Sequence, residues 1–476
     1  MSLVALVIVG LPARAQYAGG SGTPDDPYLI ETAQQLNAIG LYPQDWNKHF
    51  RLTADIDMND LGDARVNLIG TLENPFEGVF DGNDHTIANL VYHVKDEDSP
   101  DGWSVVSDIG LFRRITGVDA LVKNLGLIEA DMRVDAACTK PVYYIGALAG
   151  SLGEGWIRDC YVKGGHVLGH RYVGGLVGGC GSDAAVSESW SSAEVSGREI
   201  AGSPLGNGYG STVGGLIGYI GGASVWSCHA GGRVSGVADI GGLVGNCLAE
   251  GVIEDCFTTG TVMGNQAGGL VGWLDGSVAR CYSTASVSGS FSLGGLVGVN
   301  HGLIDTSWAG GEIAGGTMVG GLVGRNTVGG GFLNIPPYFD TKVTDSYATG
   351  AVRGDGGIGG LIGSNEGTLL RCYSTGTVTT NTKGSLGGLV ATDRGVAEWD
   401  VQGCFWDTTT SGVSESDGGI GMTTDQMQDI GTYLTAGWDF AGETANGTED
   451  LWEMIDGKPA YPRLAWEETP DPNAMD

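Results

Sequence analysis

GGLVGWLDGSVARCYSTASVSG, residues 268–289, contains one full unit of the pattern on which this chain is built. It divides into three runs: Gly268–Gly272, then Val278-Ala279-Arg280-Cys281-Tyr282, then Ala285-Ser286-Val287-Ser288-Gly289. Short β-branched runs punctuated by Gly and Ser read as strands separated by tight turns. No segment of the unit repeats at 3.6 residues, which disfavours leucine-rich and helical solenoids. The Gly-Gly-Leu-Val/Ile-Gly block recurs from Gly146 (as GALAG), Gly174, Gly214, Gly241, Gly268, Gly294, Gly320, Gly359 and Gly387 (as GGLVA). Successive starts lie 28, 40, 27, 27, 26, 26, 39 and 28 residues apart, a base period of 26–28 with two lengthened repeats. Three short strands in such a unit predict one triangular coil of a β-solenoid.

A single coil cannot bury its own apolar face, whereas stacked coils bury a shared one. Aligning the repeats gives two aliphatic ladders, both expected inside. One is Leu176, Leu216, Leu243, Leu270, Leu296, Leu322, Leu361 and Leu389; the other is Val195, Val234, Val262, Val287, Ile313, Val352 and Val378. The block glycines are expected where the coil turns sharply, often with φ > 0, and where the backbone packs closely. Nine coils would extend about 43 Å along the axis at about 4.8 Å per coil. Residues 50–130 read as irregular first coils with Phe76, Phe80, Ile87, Leu90, Leu111 and Leu125 in the core.

Composition agrees with this reading. Glycine supplies 86 of 476 residues without any Gly-X-Y period, so collagen is excluded. Acidic residues outnumber basic ones 56 to 24, a net charge of −32, which argues against nucleic acid or an anionic membrane as partner. Leu3–Leu11 is an apolar run followed by Ala13-Arg14-Ala15, the pattern of a signal peptide over residues 1–15. No later apolar run approaches 18 residues free of glycine, so no membrane span is expected. Solenoid ends need covers, and capping-box patterns at Thr32–Gln35 and Thr423–Gln426 predict short helices through Ile39 and towards Leu434.

The GGLVG…(Cys/Ser)-(Tyr/Trp)-Ser-Thr-Gly-x-Val unit resembles the GLUG repeat of bacterial surface adhesins, immunoglobulin A-cleaving proteases and other large secreted proteins. YAGGSGTPDDPYLIETAQQLNAIG from Tyr17, FEGVFDGNDHTIANL from Phe76 and CFWDTTTSG from Cys404 extend the resemblance over nearly the whole chain. It implies a right-handed parallel β-helix, all-β, at an extracellular or cell-surface location, and it implies no reaction. The expected organisation is a signal peptide (1–15), an N-terminal cap with irregular first coils (16–130), GLUG-like repeats (131–403), a C-terminal coil and cap (404–466) and a disordered acidic tail (467–476).

Several residue sets are candidates for function. Cys160, Cys228, Cys256, Cys281, Cys372 and Cys404 share one repeat position with Ser189, Ser307 and Ser346, and read as small buried thiols rather than a disulfide framework. The next residue forms an aromatic column of Tyr161, Trp190, His229, Phe257, Tyr282, Trp308, Tyr347, Tyr373 and Phe405, expected outward by alternation. Two readings are open for it: stacking that stabilises the helix, or a glycan-binding strip. The column before the Cys/Ser slot, with Asp159, Asp255, Arg280, Asp345 and Arg371, reads as a solvated face with weak ion pairs. Asp55, Asp57 and Asn59 have the carboxylate density of a calcium loop, yet Ile56 and Met58 alternate between them as in a strand. The insertion Thr327–Lys342 carries Phe332, Leu333, Ile335, Tyr338 and Phe339, either folded onto its own solenoid or contacting a partner.

No catalytic motif is present. The sequence therefore points to a non-enzymatic exported scaffold for adhesion or surface interaction, with a glycan or another surface protein as partner. The alternatives are a self-associating fibre subunit, and a polysaccharide lyase or hydrolase on a pectate-lyase-like helix.

Overall fold

The structure, a computed structural model, describes residues 16–99, 105–199, 211–328, 341–395, 401–454 and 460–467. The expected signal peptide, the insertion residues Phe332 to Phe339 and the tail beyond residue 467 lie outside these. The fold is a parallel β-helix. Its short strands form a sheet of 31 and a sheet of 18, and the pairings between coils are parallel. Both aliphatic ladders run in register through the interior: Val195 pairs with Val234, Val234 with Val262, and so on to Val378, every rung at most 4% exposed.

The three runs of the repeat are present, but the middle one is bent. Ser277–Ala279 and Tyr282–Ser283 are separate strands, and Arg280 between them sits at φ 49°. The same corner recurs at Asp159, Glu188, Ser227, Asp255, Thr306, Asp345 and Arg371. A second corner falls at Tyr172, Asp239, Gln266, Ser292 and Met318. Left-handed turning is therefore done largely by non-glycine residues, several of them Asp or Asn types that tolerate it.

The expectation for the block glycines is corrected accordingly. Among the described residues none of them has positive φ; they are required by close approach alone. A Cβ on Gly241 would lie 1.9 Å from the carbonyl oxygen of Val244, and one on Gly242 1.9 Å from that of Gly269 in the next coil. Gly268 and Gly269 repeat these contacts at 1.9 and 2.0 Å.

The N-terminal end matches expectation, and the C-terminal end departs from it. At the N-terminus Ala33–Ile39 is helical, capped by Thr32, and buries Leu36 and Ile39. At the C-terminus the anticipated single helix is two, Thr424–Met427 and Ile430–Thr435, because Asp429 caps a second start. This segment covers the side of the helix rather than its end. Met427, Tyr433, Trp438, Phe440, Trp452 and Leu464 pack against Tyr347, Tyr373 and Phe405. Glu467, expected in a disordered tail, is ordered by this cap and accepts from the Tyr347 hydroxyl at 2.9 Å.

The cysteines are free, and all but the partly exposed Cys138 are buried. Burial pushes the Cys160 and Cys247 thiols up to about 12, away from the reactive thiolate.

Two measurements check this packing. Gly241→Ala should lower stability in urea unfolding by at least about 3 kcal/mol, since a backbone carbonyl cannot yield as a side chain can. Gly356→Ala, whose new Cβ would meet nothing nearer than 3.8 Å, should be near neutral. Titration with a thiol reagent should find at most Cys138 reactive in the folded protein and all nine cysteines after denaturation without reductant. A single free thiol after denaturation would contradict the packing described.

Candidate functional site

The aromatic column is the most extended lateral feature. Successive rings from Tyr161 to Tyr373 stack nearly parallel: Tyr161–Trp190 at 4.7 Å and 5°, His229–Phe257 at 4.7 Å and 5°, Phe257–Tyr282 at 5.0 Å and 5°, Tyr282–Trp308 at 4.8 Å and 6°, Tyr347–Tyr373 at 4.8 Å and 4°. Coil spacing imposes this separation, and each stacked pair contributes about 0.5–1.5 kcal/mol. Because the rings face one another along the axis, they turn edges rather than faces to solvent. Even the first ring is covered, since Tyr161 lies over Gly126, where a Cβ would sit 2.4 Å from its ring. A sugar stacks on a free ring face, and this column offers none along its length.

Among the described residues none of the cap packs on the column from Tyr161 to Phe257, where its rings are half-buried. From Trp308 onward the C-terminal cap seats on the ring edges. Trp466 Nε1 donates to the Thr306 carbonyl at 2.9 Å, and the Tyr373 hydroxyl donates to the Pro462 carbonyl at 2.7 Å. Asp345, 2% exposed, anchors the cap: its Oδ1 accepts from Arg371 Nε at 2.7 Å and Trp452 Nε1 at 3.1 Å. The expected weak surface pairs thus include one buried pair. Arg280 holds Asp255 with two bonds, at 2.7 and 2.9 Å, on the open part of the same face.

The structure does not bring the calcium candidates together. Asp55 Oδ1 accepts from Thr86 N at 2.8 Å, while Asp57 Oδ1 accepts from Asn59 N and Asn89 Nδ2, both at 2.9 Å. Asp57 caps the 3-10 turn Met58–Leu61, whose Asn59 is used as backbone. Among the described residues no three His, Cys, Asp or Glu side chains gather as a metal would need. These hydrogen bonds fasten the first coils to one another.

Sequence reading missed a polar strip on another face. Tyr219, Asn246 and Trp273 are in register, with Asn246 3% exposed and its Oδ1 without a hydrogen-bond partner. Trp273 donates to Asp275 at 2.9 Å and stacks on His301 at 4.7 Å. Burial pushes His301 down to about 4, keeping the imidazole neutral, and pushes the Asp239 carboxyl up to about 6. Asn246, Asp275 and His301 lie beneath other side chains, so the strip is packing rather than a reaction centre. No motif marks it, because its members come from four coils and only the register assembles them.

No family model matches the chain. Halomucin of Haloquadratum walsbyi is 30% identical over 176 residues, 36% of this chain and 2% of Halomucin. A "Putative Gly-rich membrane protein" of Evansella cellulosilytica is 34% identical over 146 residues, 30% of this chain and 15% of that protein. The chain thus spans a small fraction of either relative. The crystal structure of "a putative immunoglobulin A1 protease from Bacteroides ovatus" is 19% identical, with 95% of this chain and 96% of that one covered at a TM-score of 0.34.

The anchor of the cap can be tested directly. Asp345→Ala should cost about 2–3 kcal/mol by leaving Arg371 and the Trp452 indole unpaired. Tryptophan fluorescence in urea should then change before the far-ultraviolet β signal. Coincident transitions at the parental midpoint would mean that the pair does not hold the cap.

Proposed function

We propose that this chain is a non-enzymatic, exported β-helical scaffold for adhesion at a cell surface, belonging with the GLUG-repeat proteins it resembles. The carrying observation is the aromatic column, which is covered by the chain's own cap over its last coils and continues uncovered to Tyr161. The cap illustrates what such a strip accepts: indole and phenol side chains against ring edges, with polar tips donating to backbone carbonyls. That is protein-like chemistry. It favours a polypeptide surface over a glycan as the partner of Tyr161, Trp190 and Phe257. The name of one relative, a Gly-rich membrane protein, agrees with a place at the cell envelope.

The test places charge beside the strip without touching the stack. Thr259 and Thr284 flank the column and are exposed. Pelleting of the chain from Gln16 with the producer's envelope fraction should fall at least about fivefold in Thr259→Lys/Thr284→Lys, a loss near 1 kcal/mol, with melting unchanged. Retention equal to the parent would remove the column as the contact strip. Release of reducing ends from polysaccharides incubated with the protein would remove the non-enzymatic reading.

A further inference from the structure

We propose that a hollow at another corner of the helix, between Arg325 and Arg394, binds the carboxylate of an acidic sugar. It has a volume of about 390 Å³ and is lined by these two arginines and by Thr317, Ser364, Ser385 and Thr392, with no Asp or Glu among the described residues of its wall. In a chain of net charge −32, two cations lining one hollow run against the overall charge.

The register shows how the hollow arises. Thr317 of one coil pairs with Gly356 of the next, and Phe291 precedes Thr317 in the same column. Where earlier coils carry Phe291-Ser292 and Thr317-Met318, this coil carries Gly356-Gly357. The turn does not demand glycine. Gly357 has φ 64°, and Met318 and Ser292 adopt 55° and 51° at the same corner. A Cβ on Gly356 would meet nothing nearer than the Thr317 methyl at 3.8 Å. Unlike the block glycines, these two leave space that the backbone does not fill.

Arg325 is held only by long contacts, its Nη2 donating to the Thr327 hydroxyl at 3.4 Å. Glu366, the carboxylate nearest Arg325, lies at 4.0 Å and is engaged by the Thr327 hydroxyl. Among the described residues no carboxylate pairs with Arg394, which is exposed. Arg325 is aligned with Ser364 across the coils, so a cation and a hydroxyl stand side by side. Guanidinium groups grip planar oxyanions in a fork, and hydroxyls serve ring alcohols as donor and acceptor. The volume falls at the small end of ligand pockets, which suits one or two sugar rings. This inference concerns a different corner from the aromatic column and does not depend on it.

Calorimetry with a hyaluronan tetrasaccharide (carboxylated), cellotetraose (neutral) and sodium sulfate tests it on the chain from Gln16. The expected result is binding of hyaluronan alone. Arg394→Gln, by losing one charged hydrogen-bonding group, and Gly356→Leu, by filling the hollow, should each weaken it at least about tenfold, with melting unchanged. Equal hyaluronan affinity in both variants would place the sugar elsewhere and overturn the pocket. Sulfate binding as tightly as hyaluronan would reduce it to a plain anion site. Absence of hyaluronan binding would overturn the proposal outright. None of these outcomes alters envelope retention, which tests the aromatic column separately.

Discussion

The contact on which the rest depends is between glycine and carbonyl. From Gly174 to Gly360 the first block glycine lies against a carbonyl of its own coil, and the second against one of the next coil, as at Gly268 with Val271 O and Gly269 with Gly295 O. A side chain at either point would occupy the oxygen's space. The approach fixes the height of each coil over its neighbour once per turn, and no slip of one residue preserves it. With register fixed, each side chain is stacked on the equivalent one. Leucines then bury leucines, rings stack on rings, and the insertions after Arg198 and Thr327 leave without disturbing the order: Val173 still pairs with Val213, and Leu303 with Lys342.

Stacking like on like also explains the slot shared by cysteine and serine. The left-handed residue before it turns the backbone out of the ladder, so a main-chain donor and acceptor need other partners. Ser307 Oγ donates to the Asp305 carbonyl at 2.7 Å and accepts from Cys281 N at 3.1 Å. Cys281 Sγ does the same with the Ala279 carbonyl at 3.1 Å and Cys256 N at 3.4 Å. In the repeats a small side chain that both donates and accepts meets this need, whereas Leu125 holds the slot in the irregular first coils. The two residues are thus exchangeable for a hydrogen-bonding reason, beyond being small and buried. A buried asparagine ladder serves another corner likewise, Asn300 donating to Asn326 and Asn326 to Asn365.

What the sequence conveyed follows from which features repeat. Coil length, the two aliphatic ladders and the outward aromatic column recur at one period, and every one of these rungs is found in place. The corner conformation escaped because no single residue type marks it: Asp255, Arg280 and Thr306 all adopt it under the same stacking. The lateral cap escaped because its contacts join residues 160 apart, as between Trp466 and Thr306, and non-repeating segments carry no period to read. The arginine hollow was hidden for a third reason. Gly356 and Gly357 look like any other glycines in a chain containing 86 of them, and only the coordinates show that Gly356 meets nothing nearer than the Thr317 methyl at 3.8 Å.

The cap is free to lie sideways because the end of the ladder is closed by other means. The last block, Gly387–Ala391, has no tenth block to receive its N–H groups. The segment around Ser416 takes that place: Gly388 N donates to the Glu415 carbonyl at 2.9 Å, and Val390 N to Ser416 Oγ at 2.9 Å. At the opposite end an antiparallel bridge between Gly19 and Leu29 lies against the first strand. Irregular terminal backbone that consumes the open hydrogen bonds is a recognised guard against edge-to-edge growth, and a net charge of −32 adds repulsion between copies. Both weigh against a fibre assembled end to end. Spending the aromatic segment on the side instead leaves the remaining ring edges, Tyr161 to Phe257, half-buried among the described residues, which is where an adhesive scaffold would place its contact.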